Sequence, residues 1–311
     1  MVAFGIHVAG PSAEPMGDRH GYYRQLLERA GSSFTSFWVS DHLMSGSLPT
    51  FEGWTALAYL AAEFPSYAVG NLVLAQSYRN PALLAKMAVT LHSLTGGRLL
   101  LGIGAGWQAD EYAAYGYEFP SAGTRVEQLG EAIDVLRAMW TQSPATYEGR
   151  HYRVRDAYCE PRPAPMIPIM VGGRRPKLIR VAATKADLFN WDGPIGRYAP
   201  LVDQLHAAAR DAGRDPHDIG LVVSCEAYFP ERLADFPDLQ AGGTMTSIST
   251  AQDPSGAYAD YGADFVLGPT PDDAIRDLRP LIDLGVRIVT VYFHDRRTVT
   301  RFVEDVVPAF A

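Results

Sequence analysis

Short runs of β-branched and apolar residues alternate with amphipathic helical patterns along the chain, and this alternation constrains the fold more than any other feature. Such βα repeats are typical of a parallel sheet flanked by helices. The pattern predicts eight strands, at Ala3–Val8, Ser36–Ser40, Tyr67–Leu74, Leu99–Ile103, Ile167–Val171, Asp187–Trp191, Ile219–Phe229 and Arg287–Phe293. Eight βα units fit an α/β fold of the (β/α)8 TIM-barrel type, with a doubly wound sheet as the competing fold.

The domain organisation follows from the same pattern. We expect a single TIM-barrel domain over residues 1–311, with insertions at the carboxyl-terminal face of the strands. The largest insertion is a loop region at about residues 230–262, which is rich in Gly, Pro, Ser, Thr and Asp. So long an irregular stretch predicts a binding loop, a lid or disorder. Residues 146–158 have the period of a small additional hairpin.

Composition limits the partners of the chain. Asp and Glu outnumber Lys and Arg by 35 to 27, and the net charge of -8 disfavours a nucleic-acid-binding surface. No apolar run approaches the roughly 20 residues that span a bilayer, and the first residues lack the pattern of a signal peptide. The two cysteines fit a reducing compartment. We therefore expect a cytoplasmic protein that binds a small molecule and neither nucleic acid nor membrane.

Candidate catalytic residues follow the second predicted strand, since the chemistry of a barrel lies at the carboxyl ends of its strands. Asp41 and His42 come directly after that strand. An imidazole with an ordinary pKa of about 6.5 accepts and returns a proton at neutral pH. His42 is therefore the leading acid/base candidate, and Asp41 would hold its tautomer or bind a cofactor. The alternative interpretation is a structural histidine beside a loop-capping aspartate.

Three glycines alternate at the end of the fourth predicted strand, at Gly102, Gly104 and Gly106. Their bare backbone would let a flat or bulky group lie close to the chain. The run is not a Rossmann fingerprint, because Trp107 stands where that pattern needs a glycine. Close packing of the strands themselves is the alternative.

A phosphate site is predicted after the fifth strand. Gly172, Gly173, Arg174 and Arg175 precede Pro176, which opens a helix. The free backbone N–H groups and the dipole at a helix start favour an anion. The two arginines add donors that suit phosphate. A capped, solvated turn is the alternative.

Two tryptophans are candidates for the wall of a substrate pocket. Trp107 and Trp191 lie at predicted strand ends, where an aromatic ring can line a binding site. The eight histidines show no spacing typical of metal ligands, so we predict no metal site.

A family resemblance extends over most of the chain. It is carried by the order and spacing of the segments Trp38–Leu43, Arg79–Lys86, Leu94–Trp107, Tyr147–Tyr152 and Pro168–Gly173. Together these segments resemble the bacterial luciferase-like superfamily, particularly its branch that uses the deazaflavin coenzyme F420.

The resemblance implies a TIM barrel, commonly dimeric, with a flavin-type ring at the strand ends. In the F420 branch an Asp and a His face the ring, and these match Asp41 and His42. The resemblance also implies a non-proline cis peptide at a strand-three bulge, a glycine run and a phosphate turn. The matching positions are Leu72 and Val73 for the cis bond, Gly104, Ala105 and Gly106 for the run, and Gly172 and Gly173 for the turn.

Three functions remain open at this level. The first is an F420-dependent oxidoreductase that transfers a hydride between the deazaflavin ring and a small organic substrate, with His42 as proton donor or acceptor. The second is a luciferase-like monooxygenase that uses reduced FMN. The third is a non-catalytic flavin-binding protein. The combined motifs favour the first.

Overall fold

A computed structural model describes residues 2–8, 18–44, 50–192, 197–232 and 266–311. Most of the expected insertion at 230–262 lies outside these residues. By its internal contacts the chain divides into two compact units. Unit 1 comprises residues 1–38, 190–203 and 220–311, and unit 2 comprises residues 39–189 and 204–219. The expected single domain over the full chain stays a prediction.

The strands alternate with helices as the sequence predicts, which gives the chain the α/β class of a (β/α)8 barrel. Within the described residues the strands are β1 (Ala3–His7), β2 (Ser36–Val39), β3 (Ala68–Asn71), β4 (Leu74–Ala75), β5 (Leu99–Gly104), β6 (Ala145–Glu148), β7 (Arg153–Ala157), β8 (Ile169–Gly172), β9 (Leu188–Asp192), β10 (Gly220–Ala227), β11 (Val266–Leu267) and β12 (Val286–Phe293).

Several helices begin at recognisable capping residues. In the described part of the chain they are α1 (Arg19–Ala30), α2 (Gly53–Glu63), α3 (Pro81–Leu94), α4 (Ala109–Ala114), α5 (Ala122–Thr141), α6 (Pro176–Lys185), α7 (Tyr198–Asp211), α8 (Pro271–Asp283) and α9 (Arg296–Arg301). Asn80 caps α3 by accepting hydrogen bonds from the N–H groups of Ala82 and Leu83. Thr270 and Asp273 form a capping box at the start of α8.

Unit 1 contains a parallel sheet in the order β11, β10, β12, β1, β2. One face of this sheet packs through phenyl rings against the C-terminal segment. The ring of Phe302 lies 5.6 Å from that of Phe4 and 5.3 Å from that of Phe293. These rings are buried and form the apolar layer between sheet and helices.

In unit 2, strand β5 pairs in parallel with each of β3, β4 and β8. The predicted hairpin is present as the antiparallel pair of β6 and β7. The longest helix of this unit, α5, buries one side from Leu129 to Trp140. The indole Nε1 of Trp140 on that side donates to the backbone oxygen of Ala85 at 3.1 Å, which ties α5 to α3.

The third predicted strand is interrupted. Sequence reasoning placed one strand over Tyr67–Leu74, but β3 ends at Asn71 and β4 begins at Leu74. Gly70 pairs with Leu100 and Leu74 pairs with Ile103. The chain therefore advances four residues between these pairings, while β5 advances only three. One extra residue is accommodated as a bulge. The prediction also missed α4 and β11, and these are short elements.

We expect Gly102→Ala to destabilise the protein. A Cβ at Gly102 would lie 1.9 Å from the backbone oxygen of Asn71, which is held in the sheet and cannot move aside cheaply. Overpacking of this kind costs about 1–3 kcal/mol or more. Thermal unfolding measures the loss. The control is Gly130→Ala in α5, where the nearest atom would lie 3.8 Å away and alanine favours the helix. Equal midpoints for both variants would contradict the close approach.

Candidate active site

The imidazole of His42 is anchored by a buried carboxylate. His42 follows β2, and its Nδ1 lies 3.2 Å from Oε1 and 3.3 Å from Oε2 of Glu111 in α4. The side chain of Glu111 is 1 % exposed and that of His42 is 34 % exposed. Nε2 of His42 makes no hydrogen bond within the described residues. The anchored ring therefore keeps one nitrogen available for proton transfer.

Glu111 also holds the backbone that carries His42. Its Oε1 accepts from the N–H groups of Leu43 at 3.0 Å and Met44 at 3.1 Å. Its Oε2 accepts from the hydroxyl of Tyr78 at 2.9 Å. Because four donors share one carboxylate, both the ring of His42 and the segment after it have a fixed orientation.

The contacts of Glu111 also set the protonation of His42. Burial lowers the pKa of His42, but the hydrogen bond to Glu111 and its negative charge outweigh burial, so the pKa is raised. Burial raises the pKa of Glu111, whereas the hydrogen bonds from His42, Met44 and Tyr78 bring it below its ordinary value. Both shifts favour the ion pair of an imidazolium and a carboxylate over the neutral pair.

Asp41 lies beside His42 in sequence but forms hydrogen bonds with a different partner. Its carboxylate accepts two hydrogen bonds from the guanidinium of Arg79, at 2.9 Å and 2.8 Å, and one from the N–H of Ala75 at 3.0 Å. Arg79 also contacts Glu52 at the start of α2. Burial lowers the pKa of Arg79, but the two carboxylates outweigh it and raise the pKa. Asp41 therefore joins the ends of β2, β4 and α3 rather than orienting His42.

The peptide bond between Leu72 and Val73 is cis, as the family resemblance implied. It lies in the bulge between β3 and β4. A Cβ at Gly104 would lie 2.8 Å from Cγ2 of Val73, so the Val73 side chain covers this glycine. Contact of Leu72 and Val73 with a cofactor stays a prediction.

The glycine run is also required by the protein's own packing. Gly106 has φ +75°, and a Cβ there would lie 1.9 Å from the hydroxyl of Tyr112. That hydroxyl forms a 2.5 Å hydrogen bond with Ser77. The alternative of close packing therefore accounts for much of the run, while contact of Gly104, Ala105 and Gly106 with a cofactor stays a prediction.

The predicted phosphate turn has the geometry of an open helix start. Helix α6 begins at Pro176, and no side chain caps it. Gly173 has φ +137°, a backbone conformation that favours glycine, and it packs against Leu178. Arg174 is half-buried and Arg175 is exposed. Binding of an anion by these residues stays a prediction.

The two candidate tryptophans differ in exposure. Trp107 is 37 % exposed, and its ring meets that of His42 edge to face with centroids 5.6 Å apart. Trp191, in unit 1, is 3 % exposed. Trp107 is therefore the candidate that lies beside the acid/base residue in the structure.

Sequence reasoning missed Glu111 and the role of Arg79. Both act on partners far along the chain, since Glu111 is 69 positions from His42 and Arg79 is 38 positions from Asp41. A local signal for Glu111 existed, since Asp110 and Glu111 occupy the first turn of α4, where acidic residues are favoured.

The described part of the chain has neither a membrane-spanning helix nor a metal-binding cluster. None of the described helices is long and apolar enough to cross a membrane. No group of three or more His, Cys, Asp or Glu side chains among the described residues is arranged to hold a metal ion.

Comparison with known proteins places the chain in a family. The profile described as luciferase-like monooxygenase matches residues 2–239. The chain belongs to this family. Similar proteins include two described as F420-dependent glucose-6-phosphate dehydrogenases. The one from Amycolatopsis mediterranei is 26 % identical and the one from Intrasporangium calvum 28 % identical, each over 96 % of this chain and 96 % of the relative.

Solved structures agree on the fold. An F420-dependent secondary alcohol dehydrogenase, in complex with an F420-acetone adduct, matches 100 % of this chain and 99 % of its own, with TM-score 0.81 and 18 % identity. The F420-dependent tetrahydromethanopterin reductase from Methanopyrus kandleri matches the same shares of the two chains, with TM-score 0.77 and 19 % identity. The predicted TIM-barrel fold is confirmed.

We expect Glu111→Gln to lower the pKa of His42, because the charge that outweighs burial is removed. The imidazole resonances of His42, followed by NMR as pH is raised, measure the shift.

The raised pKa also implies that the His42–Glu111 contribution to stability is fully present below pH 6.5 and is lost as pH rises through the raised value. The stability of wild type relative to Glu111→Gln should therefore fall over that range. An unchanged His42 titration in the variant would contradict the assignment.

Proposed function

We propose that this family member is an F420-dependent oxidoreductase that transfers a hydride to or from a small organic substrate, with His42 as the proton donor or acceptor. The observation that supports F420 as the cofactor is the similarity, over 96 % of the chain, to relatives described as F420-dependent dehydrogenases. The anchored imidazole of His42 supports the proton-transfer role.

The residues present fit such a cofactor. Coenzyme F420 combines a flat deazaflavin ring with a phosphate. The uncapped start of α6, with Gly172, Gly173, Arg174 and Arg175 before it, has the donors that a phosphate requires. The half-exposed imidazole of His42 and the bulge at Leu72 and Val73 are available to meet a ring. These residues, together with Gly104, Ala105 and Gly106, would hold the cofactor.

The chain's own residues control a proton. When bound, the cofactor supplies a two-electron acceptor or donor of hydride. Glu111 holds His42 through Nδ1, so the proton exchanged with the substrate is on Nε2. Because the pKa of His42 is raised, the ring holds that proton to higher pH than an ordinary imidazole does, and it is suited to donate it. The ring of Trp107 covers one side of the imidazole and reduces its contact with water.

Cofactor choice is tested by titrating the purified protein with F420 and with FMN, read by quenching of cofactor fluorescence. We expect saturable binding of F420 that is at least tenfold tighter than that of FMN. The reverse order would favour a luciferase-like monooxygenase using reduced FMN, in keeping with the description of the family. Binding of F420 with no turnover of any substrate would favour a flavin-binding protein without catalysis.

The phosphate site is tested by Arg174→Ala and Arg175→Ala. Loss of a charge-assisted hydrogen bond should weaken F420 binding by about tenfold or more, with the rate at saturation largely unchanged. The control is Arg210→Ala, which removes an exposed arginine at the end of α7. If both variants bind F420 as wild type does, the phosphate assignment is wrong.

The role of His42 is tested by His42→Ala. Loss of a general acid or base should reduce kcat by about 10²-fold or more while the F420 dissociation constant changes little. His217→Ala is the matched control, since His217 lies beside His206 with ring centroids 5.8 Å apart and outside the proposed site. Full turnover by His42→Ala would refute the proton-transfer role.

We further propose that the enzyme acts in the cytoplasm as a homodimer on a small-molecule substrate. The acidic composition and the family resemblance support this, and the sedimentation coefficient of the purified protein measures the assembly.

A further inference from the structure

A tyrosine cluster, formed by Tyr78, Tyr112 and Tyr117, lies beside Glu111 in unit 2. The ring centroid of Tyr78 is 4.9 Å from that of Tyr112 and 5.1 Å from that of Tyr117. The hydroxyl of Tyr112 hydrogen-bonds with Ser77, and that of Tyr117 donates to the backbone oxygen of Tyr78. The hydroxyl of Tyr78, in contrast, donates to the carboxylate of Glu111 at 2.9 Å. Tyr78 therefore connects the cluster to the candidate active site.

Tyr78 and His42 share one oxygen of that carboxylate. Oε2 of Glu111 lies 2.9 Å from the hydroxyl of Tyr78 and 3.3 Å from Nδ1 of His42. The other oxygen, Oε1, accepts from the N–H groups of Leu43 and Met44 and lies 3.2 Å from the same Nδ1. A hydrogen bond stabilises the charged form of its acceptor, so each donor makes the carboxylate a weaker acceptor for the others. The hydroxyl of Tyr78 therefore competes with the ring of His42 for the charge of Glu111.

The two side-chain donors differ in whether they lose a proton near neutral pH. Burial of Tyr78 and the charge of Glu111 raise the pKa of the Tyr78 phenol. The phenol therefore stays a neutral donor throughout the range in which an imidazole titrates. Its effect on the proton of His42 is the same at every pH in that range.

The acidic groups around His42 act in the opposite direction. They are Asp41, which follows β2, and Asp110 and Glu111 on α4, and their negative charges raise the pKa of His42. The guanidinium of Arg79 offsets part of the charge of Asp41 through two hydrogen bonds. A neutral donor on Glu111 offsets part of the charge of that carboxylate in the same way.

We propose that Tyr78 is a positioning residue of the candidate active site, whose hydroxyl, through Oε2 of Glu111, limits how tightly the ring of His42 holds its protons. This rests on the proposed function, because it concerns the proton that His42 would exchange with the substrate. Tyr78 acts through Glu111 and is not itself a catalytic residue. Its hydroxyl keeps His42 a stronger acid than the ring would be beside Glu111 alone.

Tyr78→Phe tests this, because it removes the hydroxyl and keeps the ring in the tyrosine cluster. We expect the titration midpoint of His42 to rise by about 0.5 pH unit or more, since Glu111 becomes a stronger acceptor for the imidazole. The imidazole resonances of His42, followed by NMR in the full-length protein without added ligand, measure the midpoint. The matched control is Tyr152→Phe, which removes a hydroxyl that donates to Gln76 at 2.6 Å.

A fluorinated side chain at position 78 gives a test of opposite sign. 3-Fluorotyrosine has nearly the shape of tyrosine and a more acidic phenol, so it is a stronger donor to Glu111. We expect this protein to titrate His42 at lower pH than wild type. A purely structural role of Tyr78 would not shift the midpoint in opposite directions. The fluorinated protein also decides the question if Tyr78→Phe does not fold.

The assignment is overturned if Tyr78→Phe leaves the midpoint in place or lowers it, if 3-fluorotyrosine leaves it in place or raises it, or if Tyr152→Phe moves it as far. In turnover, the limb of the kcat profile that belongs to His42 should move to higher pH in Tyr78→Phe, while KM stays within twofold of wild type. The NMR titration needs neither F420 nor substrate. Failure of wild type to bind F420 would therefore refute the proposed function, and the titration would still decide the role of Tyr78.

Discussion

The buried carboxylate of Glu111 organises the candidate active site of unit 2. It accepts from the ring of His42, from two backbone N–H groups and from the hydroxyl of Tyr78, so it fixes the segment after β2 against α4. An ionised carboxylate with 1 % exposure is costly unless its oxygens are fully hydrogen-bonded, and here four donors meet that requirement. The same contacts raise the pKa of His42, so one interaction sets both the position and the protonation of the imidazole.

A second ionic group, centred on Arg79, supports this arrangement. Arg79 makes two hydrogen bonds to Asp41, and Asp41 accepts from the backbone of Ala75. This group joins the segment before His42 to the strand that follows the bulge. The two acidic residues near His42 thus have different roles: Glu111 orients the ring, and Asp41 holds the backbone that follows the cis peptide.

Periodicity predicted most of the fold and the position of His42, because both depend on local sequence. Strand alternation, the helix cap at Asn80 and the hairpin at 146–158 are encoded by neighbouring residues. The contacts of Glu111 and Arg79 were not predictable in this way, since each joins residues tens of positions apart that only tertiary packing brings together. The glycine run shows a further difference: a Cβ at Gly104 or Gly106 would meet Val73 or Tyr112, a packing requirement that periodicity does not predict. Contact of the run with a cofactor stays a prediction.

The central claim is that a deazaflavin ring binds against His42 while the carboxylate of Glu111 holds Nδ1 of the imidazole. A crystal structure of the protein with F420 bound tests it most directly. The account predicts Nε2 of His42 directed at the ring and its substrate side, with Nδ1 still on Glu111. A ring bound elsewhere in the molecule, or an imidazole turned to bulk solvent, would contradict it.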